Sequence, residues 1–152
     1  MSKLTDPEMF EILRHRAAAG GHLGRELLEI DCAAGRAPVA FEAREQFLNP
    51  FGIVQGGFLV AMLDEVMVDA ALARLGPDFL IPTLEIKASF LRPAPAGRIL
   101  GEGWVVRSGR SIVFTEARLL APDGEPVATA SATAVVRPFE GGAGLTGGEK
   151  AP

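Results

Sequence analysis

The sequence is short of several residue types, and each shortage removes a class of function. One cysteine, Cys32, among 152 residues allows no internal disulfide. Two histidines, His15 and His22, stand seven residues apart with no Cys/His cluster, which argues against a zinc site. No run of Lys or Arg exceeds two residues, and 15 Lys+Arg against 19 Asp+Glu leave a net charge of −4. That is no basic footprint for nucleic acid. No apolar run approaches the ~18–20 residues of a membrane span. The first sixteen residues are charged throughout and lack the apolar centre of a signal peptide. The expectation is a cytoplasmic protein with no zinc site and with neither nucleic acid nor membrane as partner.

What is present is apolar. Residues of that kind make up 48% of the chain, enough for one sizeable core in a single domain over residues 1–140. A glycine-rich tail, 141–152, is expected to be disordered. Thr5 or Asp6 can cap a first helix, with Pro7 in its first turn, that runs to Ala19 and stops at Gly20-Gly21. Residues 24–34 and 37–43 read as a hairpin around Gly35-Arg36, and 44–55 as a loop with a turn at Asn49-Pro50. Residues 56–75 form the strongest helix signal, opened by Gly56-Gly57 and stopped by Gly76-Pro77. It is apolar nearly all round, which marks a buried helix. Four strands follow, at about 82–91, 98–107, 111–121 and 126–136, separated by turn residues. Short turns between consecutive strands predict an antiparallel sheet in an α+β fold. A helix apolar on all sides needs a sheet that curves around it, and the alternating Ala128, Ala130, Ala132 and Ala134 suit such close packing. Apolar helix surface left over calls for a second subunit.

Asp64 carries the sharpest chemical signal. Its helical neighbours Val60, Ala61, Met67 and Val68 are all apolar, and a carboxylate among them is costly unless paired or functional. Glu65 is the adjacent competitor, but it shares a helix face with Asp69, a pattern of solvent or of a polar subunit contact. Gly56 and Gly57 open the helix with free N–H groups at the positive dipole end and no side chain in the way. The two serines near Gly109 belong to no G-x-S-x-G motif, and no Walker spacing follows that glycine. Cys32 reads as a small strand residue, and Trp104 as packing or a tunnel wall.

An apolar helix between two strand groups, opened by Asn49-Pro50-Phe51-Gly52-Ile53-Val54-Gln55-Gly56-Gly57 and carrying Asp64, resembles the hotdog-fold thioesterases, most closely the phenylacetate-pathway type of acyl-CoA thioesterase. The resemblance covers roughly residues 38–137. Later stretches fit as well: Thr83 through Ile86, Phe90 through Ala94, residues 106–112 and residues 124–130. One position departs: Gln55 stands where the family usually has histidine.

The resemblance implies a curved antiparallel sheet wrapped around the central helix and hydrolysis of acyl-CoA thioesters, with coenzyme A as part of the substrate. It puts the carboxylate base or nucleophile on Asp64 and the oxyanion contact on the N–H of Gly57. Gln55 and Asn49 then position the thioester, and Thr83 orients the attacking water. Arg92, Arg107, Ser108, Gly109 and Arg110 become nucleotide contacts, since arginine suits phosphate. Gln55 keeps a donor but cannot titrate. Gly57 and Asp64 are seven residues apart, on nearly one face but ~10 Å apart along the axis. Two antiparallel helices across a two-fold axis bring Gly57 of one chain to Asp64 of the other, so the expected form is a homodimer or a dimer of dimers. Structural readings stand beside these: a helix cap for Gln55, a turn for Asn49, a strand position for Thr83. Phe58, Leu59, Met62 and Met67 suit an acyl pocket or the core equally. Two other functions stay open. A non-catalytic acyl-CoA binding protein fits the loss of the motif histidine. A hotdog hydratase fits poorly, since no histidine follows residue 22.

Overall fold

The apolar run after Gln55 dictates the centre of the molecule. In the computed structural model, which describes residues 4–15 and 19–139, Gly56–Leu75 form one helix, α3. Gln55 precedes it in extended backbone and gives its carbonyl to the N–H groups of Phe58 and Leu59. The helix ends at Gly76, whose φ of 104° is open to glycine and costly for any residue with a Cβ. These bounds are those the sequence predicts.

The elements before it are α1 (Asp6–Arg14), α2 (Ala19–His22), β1 (Glu26–Leu27), β2 (Arg36–Ala43) and a 3₁₀ turn at Glu45–Phe47. After it come β3 (Phe79–Leu80), β4 (Thr83–Phe90), β5 (Gly97–Ser108), β6 (Ile112–Leu120), β7 (Pro126–Val135) and β8 (Arg137–Pro138). Six strands form one antiparallel sheet in the order β1-β2-β5-β6-β7-β4, and β3 pairs with β8 beside it. Helix α3 packs on β2, β5, β6, β7 and β4, so the sheet wraps it as expected.

A row of small residues makes the trough in which α3 lies. Ala37, Gly103, Ala117, Ala130 and Ala88 face one another across five neighbouring strands. At Gly103 the two backbones are so close that a Cβ would lie 2.4 Å from the Val66 carbonyl oxygen. The alanines of β7 do point inward, but the close approach runs across the strands rather than along β7 alone. The next row, Val39, Gly101, Leu119, Ala128 and Phe90, begins the larger core layer.

Two sequence expectations need correction, and the two candidate caps of the first helix are resolved. The first helix stops at Arg14, and Gly20 and Gly21 lie inside the short α2 instead of ending a long helix. Thr5, not Asp6, is its cap: the Glu8 carboxylate accepts both the N–H and the hydroxyl of Thr5 at 2.8 Å. Asp6 instead accepts the N–H of Cys32 at 2.9 Å, which lowers the Asp6 pKa. The predicted strand at 24–34 shrinks to Glu26–Leu27 and an isolated bridge at Asp31, so Cys32 lies in a turn and not in a strand. The tail from 140 onward lies outside the described residues.

Candidate active site

One stripe of α3 escapes the sheet. Leu59, Met62, Leu63, Val66, Met67 and Ala70 are buried, whereas Gly57 is exposed and Val60, Ala61, Asp64 and Val68 are half-buried. These five follow the i, i+3, i+4, i+7 spacing of a single helix face. The Asp64 carboxylate therefore sits in an apolar stripe that the chain itself leaves partly uncovered.

Thr83 reaches Asp64 from the edge of the sheet. Its hydroxyl donates to Asp64 Oδ1 at 2.7 Å. A bulge in β4 makes this possible: Thr83 pairs with Ala134 and Glu85 with Thr133, which leaves Leu84 as the extra residue. The bulge lets Thr83 share the helix-facing side of β4 with Ile86, Ala88 and Phe90.

The other end of the stripe is the helix N-terminus. Among the described residues, the N–H groups of Gly56 and Gly57 meet no acceptor. A Cβ on Gly57 would meet nothing within 4 Å, so its surroundings are open. Gln55 is exposed and makes no side-chain cap, so capping does not account for it. Its backbone N–H is held by the Phe47 carbonyl at 2.8 Å, while Val54 N–H is held by Ala94 at 2.9 Å. Asn49 closes the preceding loop: its Oδ1 accepts the N–H of Phe51 at 2.9 Å and that of Ile53 at 3.4 Å. This is the turn role, and it occupies the oxygen of that side chain.

The face next to Asp64 corrects a further expectation. Glu65 and Asp69 do not face solvent. Asp69 is 0% exposed and takes Arg25 Nη2 at 2.6 Å and Nε at 3.0 Å, with Glu65 Oε2 3.8 Å from the same Nε. Only 2% of the Arg25 side chain is exposed. Arg25 lies 44 residues from Asp69, so no local spacing announces this buried cluster.

The arginines divide into two kinds. Arg92 Nη2 donates to Asp123 Oδ1 at 2.5 Å and lies 3.5 Å from the Glu125 carbonyl, and this pairing lowers the pKa of Asp123. Its charge is thus already matched. Arg107 and Arg110 are exposed at the β5–β6 turn, where the Gly109 N–H donates to the Ile112 carbonyl and Ser108 is half-buried. Among the described residues neither arginine has an ion-pair partner. Leu59, Met62 and Met67 belong to the core, and Phe58 stacks on Phe47 with ring centroids 4.2 Å apart. Three grooves of about 500, 370 and 470 Å³ lie across the outer face of the sheet, two of them against Trp104. None of the three holds Asn49, Gln55, Gly57, Asp64 or Thr83, and Trp104 is no wall of the Asp64 stripe. His15 and His22 are exposed and remote from these residues in the sequence.

A helix buried in a wrapped antiparallel sheet, with free N–H groups at its start and a hydroxyl-bonded carboxylate further down, defines a class of acyl-transferring hydrolases. The chain belongs to the thioesterase superfamily, whose family model matches residues 51–128. It is similar to the 1,4-dihydroxy-2-naphthoyl-CoA hydrolase of Listeria monocytogenes, at 27% identity over 64% of this chain and 77% of that one. Among solved structures, a phenylacetic acid degradation-related protein from Ralstonia eutropha is 38% identical, with a TM-score of 0.76, covering 84% of this chain and 98% of that one. A single-residue mutant of the phenylacetic acid degradation protein PaaI from Thermus thermophilus is 29% identical, with a TM-score of 0.67, over 76% and 96%. The fold is the hotdog fold, and the chain is a thioester hydrolase of that family. No helix among the described residues is long and apolar enough to cross a membrane.

Proposed function

We propose that the protein hydrolyses acyl-CoA thioesters to the free acid and coenzyme A, at a site built by two copies of the chain. The observation that carries this reading is the hydrogen bond from Thr83 to Asp64, on a helix stripe with an open N-terminus one end along. The thioester oxygen is received by the N–H of Gly57, whose dipole end favours the negative charge that develops there. Asp64 delivers the new oxygen to the carbonyl carbon, directly or through a water that Thr83 helps to orient. A carbon–oxygen bond forms and the carbon–sulfur bond breaks. The proton that water gives up to Asp64 passes to the departing sulfur, so coenzyme A leaves as the thiol. Where Asp64 itself attacks, water then cleaves the mixed anhydride to the free acid and restores the carboxylate. Gln55 contributes a donor beside the thioester and no proton. Asn49 holds the loop that carries Gln55, which is a positioning role. Arg107 and Arg110, having no carboxylate partner among the described residues, suit the phosphates of coenzyme A, with Ser108 and Gly109 shaping the turn. Arg92 is the weaker candidate because Asp123 already neutralises it. The reaction so described needs no metal or redox group.

Gly57 and Asp64 of one helix are ~10 Å apart, too far for one carbonyl. A second copy solves this. It also covers the half-exposed stripe and the unpaired edge strand β4, where Leu84 is 61% exposed.

The test is release of free thiol from a panel of aryl- and alkyl-acyl-CoAs by the wild type and by Asp64→Ala. Loss of the base or nucleophile should lower the rate at least ~10²-fold. Turnover that ignores the substitution would move the chemistry elsewhere. Acyl-CoA bound and recovered intact would instead favour a binding protein.

A further inference from the structure

We propose that Phe90 sets the size of the acyl group accepted beside the helix N-terminus, an inference that rests on the hydrolase reading above. Phe90 ends β4 on its helix-facing side and closes the row that begins at Val39. Its row-mates Val39, Leu119 and Ala128 are buried, but Phe90 is 54% exposed, because β4 is the edge of the sheet. The ring is nevertheless fixed against something specific. A Cβ on Gly56 would lie 3.0 Å from Phe90 Cζ and 3.4 Å from both Cε atoms. The tip of the ring thus abuts the helix at Gly56. The next residue, Gly57, looks about 100° further round the helix, into open space. The ring is therefore one wall of the opening over Gly57, and a thioester held there lays one of its arms along it.

The chemistry around the ring selects the acyl arm. Leu91 beside it is exposed and apolar. Lys87 points to the outer face, where it lines a groove, and Arg92 is matched by Asp123. The coenzyme A arm carries amides and phosphates and, among the described residues near the ring, meets only Arg92, which Asp123 already pairs, whereas an apolar acyl group gains by leaving water against the ring. Such a wall discriminates by size, at roughly 10- to 200-fold per methylene that fits or fails to fit. Gly56 belongs to the same device, since any side chain there displaces the ring. Nothing in the thioester chemistry itself demands glycine at that position.

The experiment compares wild type, Phe90→Ala, Gly56→Ala and the double variant. It measures kcat/KM for acetyl-, hexanoyl- and phenylacetyl-CoA, and Kd for non-hydrolysable thioether analogues carrying the same acyl groups. Phe90→Ala should raise the ratio of large to small acyl groups about tenfold in both measurements. Gly56→Ala should shift the ratio in the wild-type background and leave it unchanged once Phe90 is alanine. A Phe90→Ala variant with the wild-type ratio, still folded and active, overturns the proposal. So does a change of ratio that disappears when coenzyme A is exchanged for N-acetylcysteamine, since the ring would then meet the thiol arm. A wild type that binds the thioethers but releases no thiol sinks the hydrolase reading alone, and the affinity ratio then decides the role of Phe90. A wild type that neither binds nor hydrolyses sinks both.

Discussion

A single hydroxyl decides how the Asp64 carboxylate points. Thr83 donates to Oδ1 at 2.7 Å, and a hydrogen bond to a charged group contributes about 1.5–3 kcal/mol. Thr83→Val keeps the shape and removes the donor, so kcat for thioester hydrolysis should fall about tenfold, while Thr83→Ser should stay near wild type. Equal rates for the valine variant would reduce the contact to packing. The one thiol behaves in the opposite way, as an inert group. Burial first, then the hydrogen bond and charge of Asp6, push the Cys32 pKa up to about 11. At pH 8 about one molecule in a thousand then carries the thiolate, the form that reacts. Alkylation by iodoacetamide should be slow at pH 8 and still accelerating at pH 10, and fast stoichiometric labelling near neutrality would contradict this.

Among the elements, the contact between α3 and β5 is the least forgiving. A methyl group on Gly103 would press on the Val66 carbonyl, which is helix backbone and cannot turn aside. Gly103→Ala should therefore destabilise the fold by about 3 kcal/mol, read as a lower urea midpoint. Gly101→Ala is the internal comparison: its Cβ would meet the Phe41 ring at 2.9 Å, and a side-chain end gives way more cheaply than backbone. Equal losses at the two glycines would mean that the trough is not where the helix is held. The bulge at Leu84 works at the same scale. Were β4 paired regularly, Leu84 would take the place opposite Ala134, and Thr83 would change faces and lose Asp64.

The whole molecule has an unfinished side. The β4 edge, the exposed Leu84, Phe90 and Leu91, and the half-buried stripe of α3 belong to one region of the surface. On the shared-site reading the protein should sediment as at least two chains of 16.0 kDa, and a stable monomer with full activity would exclude it. A sharper test mixes two inactive variants. Gly57→Trp blocks the helix opening and Asp64→Ala removes the carboxylate, so each alone is dead. Subunit exchange makes about half of the dimers mixed, and each mixed dimer regains one of its two sites. About a quarter of wild-type activity should return, and no return would place both groups of a site in one chain.

Much of this was legible in the residues themselves. The bounds of α3 follow from an apolar run between glycine stop signals, and the antiparallel sheet follows from short turns between alternating strands. Asp64 stood out because a carboxylate among apolar neighbours is costly, a property that needs no structure to see. The resemblance singled out Thr83, but only folding joins it to Asp64, across 19 residues and a bulge that no periodicity announces. The same holds for Arg25 and Asp69, whose charges look solvated in sequence and are buried together in space. The overlong strand at 24–34 failed because Leu27 and Ile30 are buried in the core without a regular ladder beyond Glu26–Leu27 to carry them. The order of residues along the chain suffices for the central helix, the alternation of the strands and the costly carboxylate, because each depends on neighbours within a few positions. Which helix face stays uncovered, what holds Asp64 and where the Phe90 ring rests emerge only on folding, because they depend on groups that the chain brings together from far apart.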